Sequence, residues 1–207
     1  MGGDEPGVWG AVVTIIAAAL DPAHRRAVIA SDSAGSGWTQ AVYGSKFVRL
    51  RDDLVVGISG TYLLLRWLRE GGAAEVLRAA GAPDPDRLWA AWRTWAKAQG
   101  CGHTDTDGNH SVPGTLLVAT PTALYTAQSD GAVLQPSEPY AAVGSGDAVA
   151  LGALAVARTM GLDAGAAATL AVHAAIRHVP TCAGQVHVQG VEEQLGARIA
   201  PLAAAAK

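Results

Sequence analysis

Residues 14–32 read TIIAAALDPAHRRAVIASD. The first part, Thr14 to Leu20, is apolar apart from its opening hydroxyl and reads as a buried strand. Asp21-Pro22-Ala23-His24-Arg25 carries the Asp and Pro of a turn, and Arg26 to Asp32 reads as a returning strand. The chain is therefore expected to open its ordered part with a β-hairpin.

Outward from that hairpin, residues 41–50 (AVYGSKFVRL) alternate with a strand period, and 53–59 (DLVVGIS) form a further short apolar strand. The period then changes. Leu63, Leu64, Trp67, Leu68, Val76 and Leu77 suit one amphipathic helix across 61–80, which Pro83 and Pro85 end. Leu88, Trp89, Trp92 and Trp95 recur at helical spacing and place a second helix near 85–99. Residues 100–113 are polar and Gly-rich and read as a loop. Strands are expected at 114–120 and 123–128, with a turn at Pro121-Thr122. Gly144-Ser145-Gly146 precedes a helix that starts at Asp147. An Ala-rich helix covers 163–178, and Val186 and Val188 suggest a late strand at 184–190. No internal repeat is present, and the Ala run before Lys207 reads as a frayed tail. Runs of strands followed by runs of helices argue for an α+β fold. Two sheets, each covered by a helix pair, make a four-layer αββα sandwich.

The 207 residues fit one domain, expected over 14–200, with 1–13 as an extension and 201–207 as a tail. Charged residues make up 16%, against about 25% in an average soluble domain, and apolar residues 50%, which excludes a disordered chain. A net charge of −3 gives no electrostatic case for nucleic acid or an anionic membrane. Cys101 and Cys182 cannot make a disulfide framework or a usual zinc site. The apolar run from Gly10 to Leu20 falls well short of the roughly 18–20 residues that span a bilayer. The segment before it has no Lys or Arg and carries Asp4 and Glu5, the wrong charge for a signal peptide, so a cytoplasmic location is expected.

Thr14 and Asp32 stand at neighbouring ends of the hairpin. Lys46 falls in the third expected strand and Gly60 follows the fourth, in Ser59-Gly60-Thr61. A hydroxyl, a carboxylate, an amine and a flexible turn thus gather at one end of a sheet. By themselves these are also what ordinary strand ends and turns carry. His103, Asp105, Asp107 and His110 share one loop, but the sequence lacks the terminal Glu of a calcium loop and reads as a solvated segment. The tryptophans read as core or subunit contact, and Cys182 as a structural thiol. Gly144-Ser145-Gly146 lacks the Gly-Lys-Ser/Thr of a phosphate loop. No metal and no cofactor are expected.

The segments TIIAAAL, AVIASDS, KFVRL and VVGISG, in that order, resemble the amino-terminal half of proteasome β-type subunits. They are similar also to HslV-type peptidases and to the small proteasome-like proteins of actinobacteria and their phages. AAVGSGDAVALGALAVA resembles that family's Gly-Ser-Gly segment entering a helix, so the resemblance covers roughly 14–190 and is weakest in 70–113. It implies an N-terminal nucleophile (Ntn) hydrolase: a threonine-type peptidase within a homo-oligomeric ring or related assembly, acting on peptide or protein. It also implies roles. Thr14 would be the nucleophile and its α-amine the general base. Lys46 would be a fixed cation, Asp32 its partner, the Gly60 N–H the oxyanion donor, and Ser145 a hydrogen-bonding group near the amine. Ile58 and Tyr62, flanking the turn, would border an apolar substrate pocket.

Two departures bear on that implication. Thr14 is internal, so residues 1–13 are either a propeptide cut after Val13 or are not made. The second is the expectation, because Val13 stands where an initiator Met would and the Ala/Gly/Arg-rich composition suggests a GC-rich genome with valine starts. In a rival alignment Val13 takes the nucleophile position and the protein is inactive. The family also places an Asp and a Ser in a late turn that here reads Arg177-His178-Val179-Pro180-Thr181-Cys182-Ala183-Gly184. Cys182 or Thr181 would replace the Ser, and His178 the Asp. The alternatives to a peptidase are a non-catalytic structural subunit of the same fold and a small-molecule amidase.

Overall fold

The computed structural model describes residues 14–36, 41–79 and 84–192. The expectations for 1–13, including the rival alignment that puts Val13 at the nucleophile position and leaves the protein inactive, and for the tail at 201–207 lie outside these residues.

Strand β1 (Ile15–Asp21) and strand β2 (Arg26–Ser31) are joined by a single 3-10 turn, Pro22–His24. Arg25 closes it at φ 45, and Ile16 then faces Ser31 while Asp21 faces Arg26. Next come β3 (Ala34–Ser36), β4 (Ala41–Tyr43), β5 (Phe47–Arg51) and β6 (Leu54–Ser59). The helices α1 (Tyr62–Arg69), α2 (Ala74–Ala79) and α3 (Pro85–Ala98) follow. The remaining elements are β7 (His103–Thr104), β8 (His110–Ser111), β9 (Thr115–Ala119), β10 (Leu124–Ala127), β11 (Val133–Leu134), β12 (Tyr140–Gly144), α4 (Asp147–Thr159), α5 (Ala164–His178) and β13 (His187–Glu192).

Two antiparallel sheets result, in the strand orders β12-β1-β2-β13 and β11-β10-β9-β6-β5. Side chains alternate along a strand, so each sheet offers two faces. Ile15, Ala17 and Ala19 of β1, with Val28 and Ala30 of β2, pack against α4 and α5 through Leu154, Ala168 and Val172. The alternate residues Ile16, Ala18 and Ile29 pack against Val55, Leu117 and Ala119 of the second sheet. The outer face of that sheet carries Val56, Leu116 and Val118 and is covered by α1 and α3 through Leu64, Leu68, Trp89 and Trp92. The layers are therefore helix, sheet, sheet, helix: the expected αββα sandwich. Because β1 and β2 are covered on both sides, neither has a wet face that would carry charge. That accounts for their unbroken apolar sequence.

Several expectations are corrected. Residues 41–50 are not one strand: β4 and β5 are separate, with Gly44, Ser45 and Lys46 between them, so Lys46 lies just ahead of a strand rather than within one. The helix expected over 61–80 breaks after Arg69, where Gly71 takes φ 85, a value helices do not use. The loop at 100–113 contains the short ribbon β7–β8. The short strands β3, β11 and β12 were not expected. Helix starts follow their caps: the side chains of Thr61, Asp84 and Asp163 accept from the backbone N–H groups of Leu63, Arg87 and Ala166.

Candidate active site

The hairpin register puts Asp32 beside the start of β1. Its Oδ1 accepts from the backbone N–H of Ile15 at 3.0 Å and from Lys46 Nζ at 2.6 Å, and its Oδ2 accepts from the N–H of Ala183 at 3.2 Å. Asp32 therefore ties three separate segments together: the entry to β1, the approach to β5 and the turn after α5. Lys46 is held by more than its side chain. Its backbone N–H donates to Ser31 Oγ at 3.4 Å, and its carbonyl accepts from Ile58 N–H at 2.8 Å. Burial pushes the Lys46 ammonium below its ordinary range, and the adjacent Asp32 carboxylate opposes that shift.

Thr14 is buried and precedes β1. Its backbone N–H donates to Ser145 Oγ at 3.3 Å, and Ser145 Oγ donates to the Thr14 carbonyl at 3.2 Å. Ser145 sits between β12 and α4 because Gly144 allows the chain to turn there. Gly144 has φ 115, and a Cβ on it would stand 2.3 Å from the Thr14 carbonyl oxygen. Ser145 Oγ also lies 2.7 Å from Thr181 Oγ1 and 3.9 Å from Cys182 Sγ. Burial raises the Cys182 thiol above its usual range, a shift opposed chiefly by the Ser145 contact.

Gly60 follows β6 with φ 110, and a Cβ there would come within 2.7 Å of the Gly114 backbone. The turn therefore depends on glycine. Ile58, two residues earlier, bonds the Lys46 carbonyl, which places the turn at the Lys46 end of β6. Ile58 itself is buried in the cluster beneath α1. Tyr62, at the start of α1, is 43% exposed, and its hydroxyl lies against Gly35. Burial, then the charge of Asp32, raises the Tyr62 phenol.

Thr14, Asp32, Lys46 and Ser145 are thus linked through Ile15 and by direct bonds, with Gly60 on the adjoining turn. A cavity of about 380 Å³ opens beside them, lined by Ser33, Gly44, Gly184, Gln185 and His187. A larger one of about 620 Å³ lies away from this cluster, between β5 and α1–α2. Ser31, Ser33 and Ala183 were not singled out in the sequence. Their contributions are a backbone N–H and hydroxyls on residues otherwise unremarkable for chemistry, and Ala183 arrives from the far end of the chain. Thr181 and Cys182, expected to replace the late Ser, both join the cluster, whereas the expected stand-in for the late Asp does not. His178 is exposed at the last position of α5 and makes none of these bonds. In the 100–113 segment, the Asp105 carboxylate accepts from the N–H groups of Asp107 and Asn109, and His110 bonds Thr104 Oγ1 and the Cys101 carbonyl. Among the described residues no three metal-ligating side chains converge. Among them, too, no helix is long and apolar enough to cross a membrane.

No protein-family model and no curated protein matches the chain. Solved structures do. BPH of Thiobacillus denitrificans in complex with epoxomicin is 25% identical with a TM-score of 0.67, covering 86% of this chain and 98% of its own. A second structure of Thiobacillus denitrificans BPH is 24% identical with a TM-score of 0.68, covering 88% and 100%. Eukaryotic HslV from Trypanosoma brucei is 21% identical with a TM-score of 0.63, covering 86% and 99%. With its layer order and sheet topology, the chain has the α+β fold of the HslV- and proteasome-type Ntn hydrolases.

Proposed function

We propose that the chain is a threonine-type peptide or amide hydrolase that acts once Thr14 is its first residue. One observation carries this reading. The Thr14 nitrogen lies against Ser145 Oγ, while the next residue, Ile15, is pinned by the same carboxylate that holds Lys46. As long as Val13 is attached, that nitrogen is an amide and has no basic lone pair. Breaking the Val13–Thr14 bond, or starting the chain at Thr14, turns it into an amine that titrates near pH 8.

In the proposed reaction the amine takes the proton of Thr14 Oγ1 as that oxygen bonds the substrate carbonyl carbon. Lys46 favours the developing negative charge, Asp32 holds Lys46, and the Gly60 N–H donates to the oxyanion. The C–N bond of the substrate then breaks and the ammonium returns its proton to the leaving nitrogen. An ester on Thr14 remains. Water attacks it, giving its proton to the amine, and the carboxylic acid leaves with Oγ1 reprotonated. Tyr62, the exposed member of the pair flanking the turn, borders the substrate pocket, and buried Ile58 backs it.

The apolar residues Leu151 and Val156 of α4, Met160 just after it and Leu170 of α5 are exposed. Such surface supports self-assembly, and a homo-oligomer in the cytoplasm is part of this reading.

Epoxomicin, the molecule bound by the Thiobacillus denitrificans relative, is the probe. Protein beginning at Thr14 is expected to gain its mass at Thr14, and the Thr14→Ala protein is not. The internal position of Thr14 favours one second reading, a non-catalytic structural subunit. Native protein that retains residues 1–13 and takes no adduct after their removal would establish it. Acylation by small amides but not peptides would point to an amidase.

A further inference from the structure

The hairpin register sets Ile16 opposite Ser31, and the N–H of Asp32 still donates to the Ile15 carbonyl at 3.2 Å. Carried on, that register brings Ser33 opposite Thr14. On the other side of β2, His187 faces Ser31, and the N–H of Gln185 donates to Ser33 Oγ at 2.8 Å. Thr14, Ser33 and Gln185 therefore stand side by side across one end of the first sheet. Neighbouring strands lie about 4.8 Å apart, so the wall formed by Gln185 and His187 is about 10 Å from Thr14. An extended peptide covers that distance in about three residues.

The cavity of about 380 Å³ at this wall is lined by Ser33, Gly44, Gly184, Gln185 and His187, none of them acidic. Ser33 is buried, its Oγ accepts from Gln185, and its proton meets no acceptor among the described residues. Gly184 leaves that hydroxyl uncovered: it sits at φ 87, and a Cβ on it would stand 2.3 Å from Ser33 Oγ. Asp32, one residue before Ser33, is buried with its charge met by Lys46. The exposed Gln185 amide and the half-buried His187 ring bond no other side chain among the described residues. Each carries an N–H to donate, the imidazole in its neutral and its charged form alike. Three donors around a cavity with no carboxylate of its own fit an acceptor, and an ionised carboxylate is the acceptor they bind most strongly.

We propose that this cavity is a substrate subsite for an acidic side chain, Asp or Glu, about three residues from the bond that is cut, with Ser33, Gln185 and His187 as its donors. The inference rests on the reading of Thr14 as an N-terminal nucleophile and adds to it a class of substrate: peptides with a carboxylate at a set distance from the scissile bond. His187 is the residue best placed to set that preference. Its backbone is held in the ladder between β13 and β2, so a change of its side chain leaves the strand pairing intact.

The test uses protein beginning at Thr14 and blocked octapeptides of Ala and Leu in which one Glu is moved through every position, with the cut read by mass spectrometry. At one position, about three residues from the cut and on a single side of it, Glu is expected to raise kcat/KM about tenfold over Ala, the effect of one hydrogen bond to a charged group. Lys at that position gives no gain. His187→Leu removes the advantage of Glu and leaves cleavage of the peptide without Glu unchanged, whereas His187→Gln, which keeps a donor, retains most of it. Gly44→Leu supplies a second variant. Gly44 lies outside the left-handed region and a Cβ on it meets nothing within 4 Å, so the new side chain narrows the cavity without strain and also removes the advantage. If the peptides are cleaved and Glu gives no gain at any position, or the gain survives both His187→Leu and Gly44→Leu, the inference fails. The same peptides are added to the Thr14→Ala protein while the 15N signals of the His187 ring are followed by NMR. If no peptide is cleaved by the unaltered protein, yet the Glu peptide alone shifts those signals, the subsite stands and it is the nucleophile reading that falls.

Discussion

Lys46 Nζ lies 2.6 Å from Asp32 Oδ1, with the two side chains 6% and 0% exposed. The pair sits where the hairpin, the approach to β5 and the turn after α5 meet. A buried pair is costly to break from one side, because the remaining charge loses its partner without regaining water. Lys46→Met is therefore expected to destabilise the fold by about 3–5 kcal/mol. The exposed pair between Arg26 and Glu192 provides the contrast: Arg26→Ala should cost under about 1 kcal/mol. Urea unfolding of both variants checks the ordering, and equal losses would contradict it.

The same lysine gives a pH dependence with a definite sign. Its folded-state titration is lowered from the ordinary 10.5 by burial. Between that lowered value and 10.5 the unfolded chain holds a proton that the folded chain has shed, so this group's contribution to stability rises with pH there. The stability difference between the unaltered protein and Lys46→Met should widen as pH climbs from neutral toward 10.5. Denaturant titrations at a series of alkaline pH values measure it, and a narrowing difference would show the sign to be wrong.

Gly144 has no space for a side chain, since a Cβ would stand 2.3 Å from the Thr14 carbonyl oxygen and φ is 115. Gly144→Ala is expected to cost about 1–3 kcal/mol in backbone strain. It should also displace Thr14 from Ser145 and slow adduct formation at Thr14 more than tenfold. Thermal unfolding and labelling kinetics read the two effects separately.

Tyr62 is exposed at the proposed substrate pocket while Ile58 supports it from the core. Tyr62→Ala should raise KM for apolar peptide substrates several-fold with a smaller change in kcat, the signature of lost binding rather than lost chemistry. Steady-state kinetics on a peptide series would reveal a change confined to kcat, which would place Tyr62 elsewhere in the mechanism.

The two thiols should differ. Cys182 is buried with its titration raised by burial, whereas Cys101 is half-buried. A thiol reagent at neutral pH is expected to modify Cys101 in the native protein and Cys182 only after unfolding, because the thiolate is the reacting form. Rapid native reaction of both would mean that the turn after α5 opens readily.

The low charge of the chain has a cause partly different from the one its composition suggests. Charge-poor helices read as candidates for subunit contacts. In the structure, Trp67, Trp89 and Trp92 instead fill the chain's own core. Much of the missing charge traces to two sheets covered on both faces. Among the described residues, large apolar side chains stay exposed on and just after α4, with Val156 at 59% and Met160 at 73%, on α5 at Leu170, and singly at Tyr62, Leu134 and Val188.

The hairpin at 14–32, the helices beginning at Asp147 and after Asp163 and the layer count were legible because each rests on local signals: apolar runs, a Pro-bearing turn, the Gly-Ser-Gly ahead of Asp147 and the Asp163 cap. So were Thr14, Asp32 and Lys46 as a group, since hairpin register alone makes Thr14 and Asp32 neighbours. Local signals failed where two short elements share one continuous pattern. The run 41–50 keeps its alternation through Gly44-Ser45-Lys46, yet the chain leaves β4 there and enters a different sheet with β5.

The sequence by itself thus determined which residues form strands and helices over most of the chain, and which end of the hairpin bears a hydroxyl and a carboxylate, because periodicity and turn chemistry act between near neighbours. Only the tertiary structure decided that Thr181 bonds Ser145 beside the Thr14 nitrogen and that Ala183 completes the Asp32 site. The Ser145–Thr14 and Ala183–Asp32 bonds join residues 131 and 151 positions apart, and the Thr181–Ser145 bond spans 36. Packing of α4 and α5 on the first sheet brings the three together, and no pattern along the chain encodes that meeting.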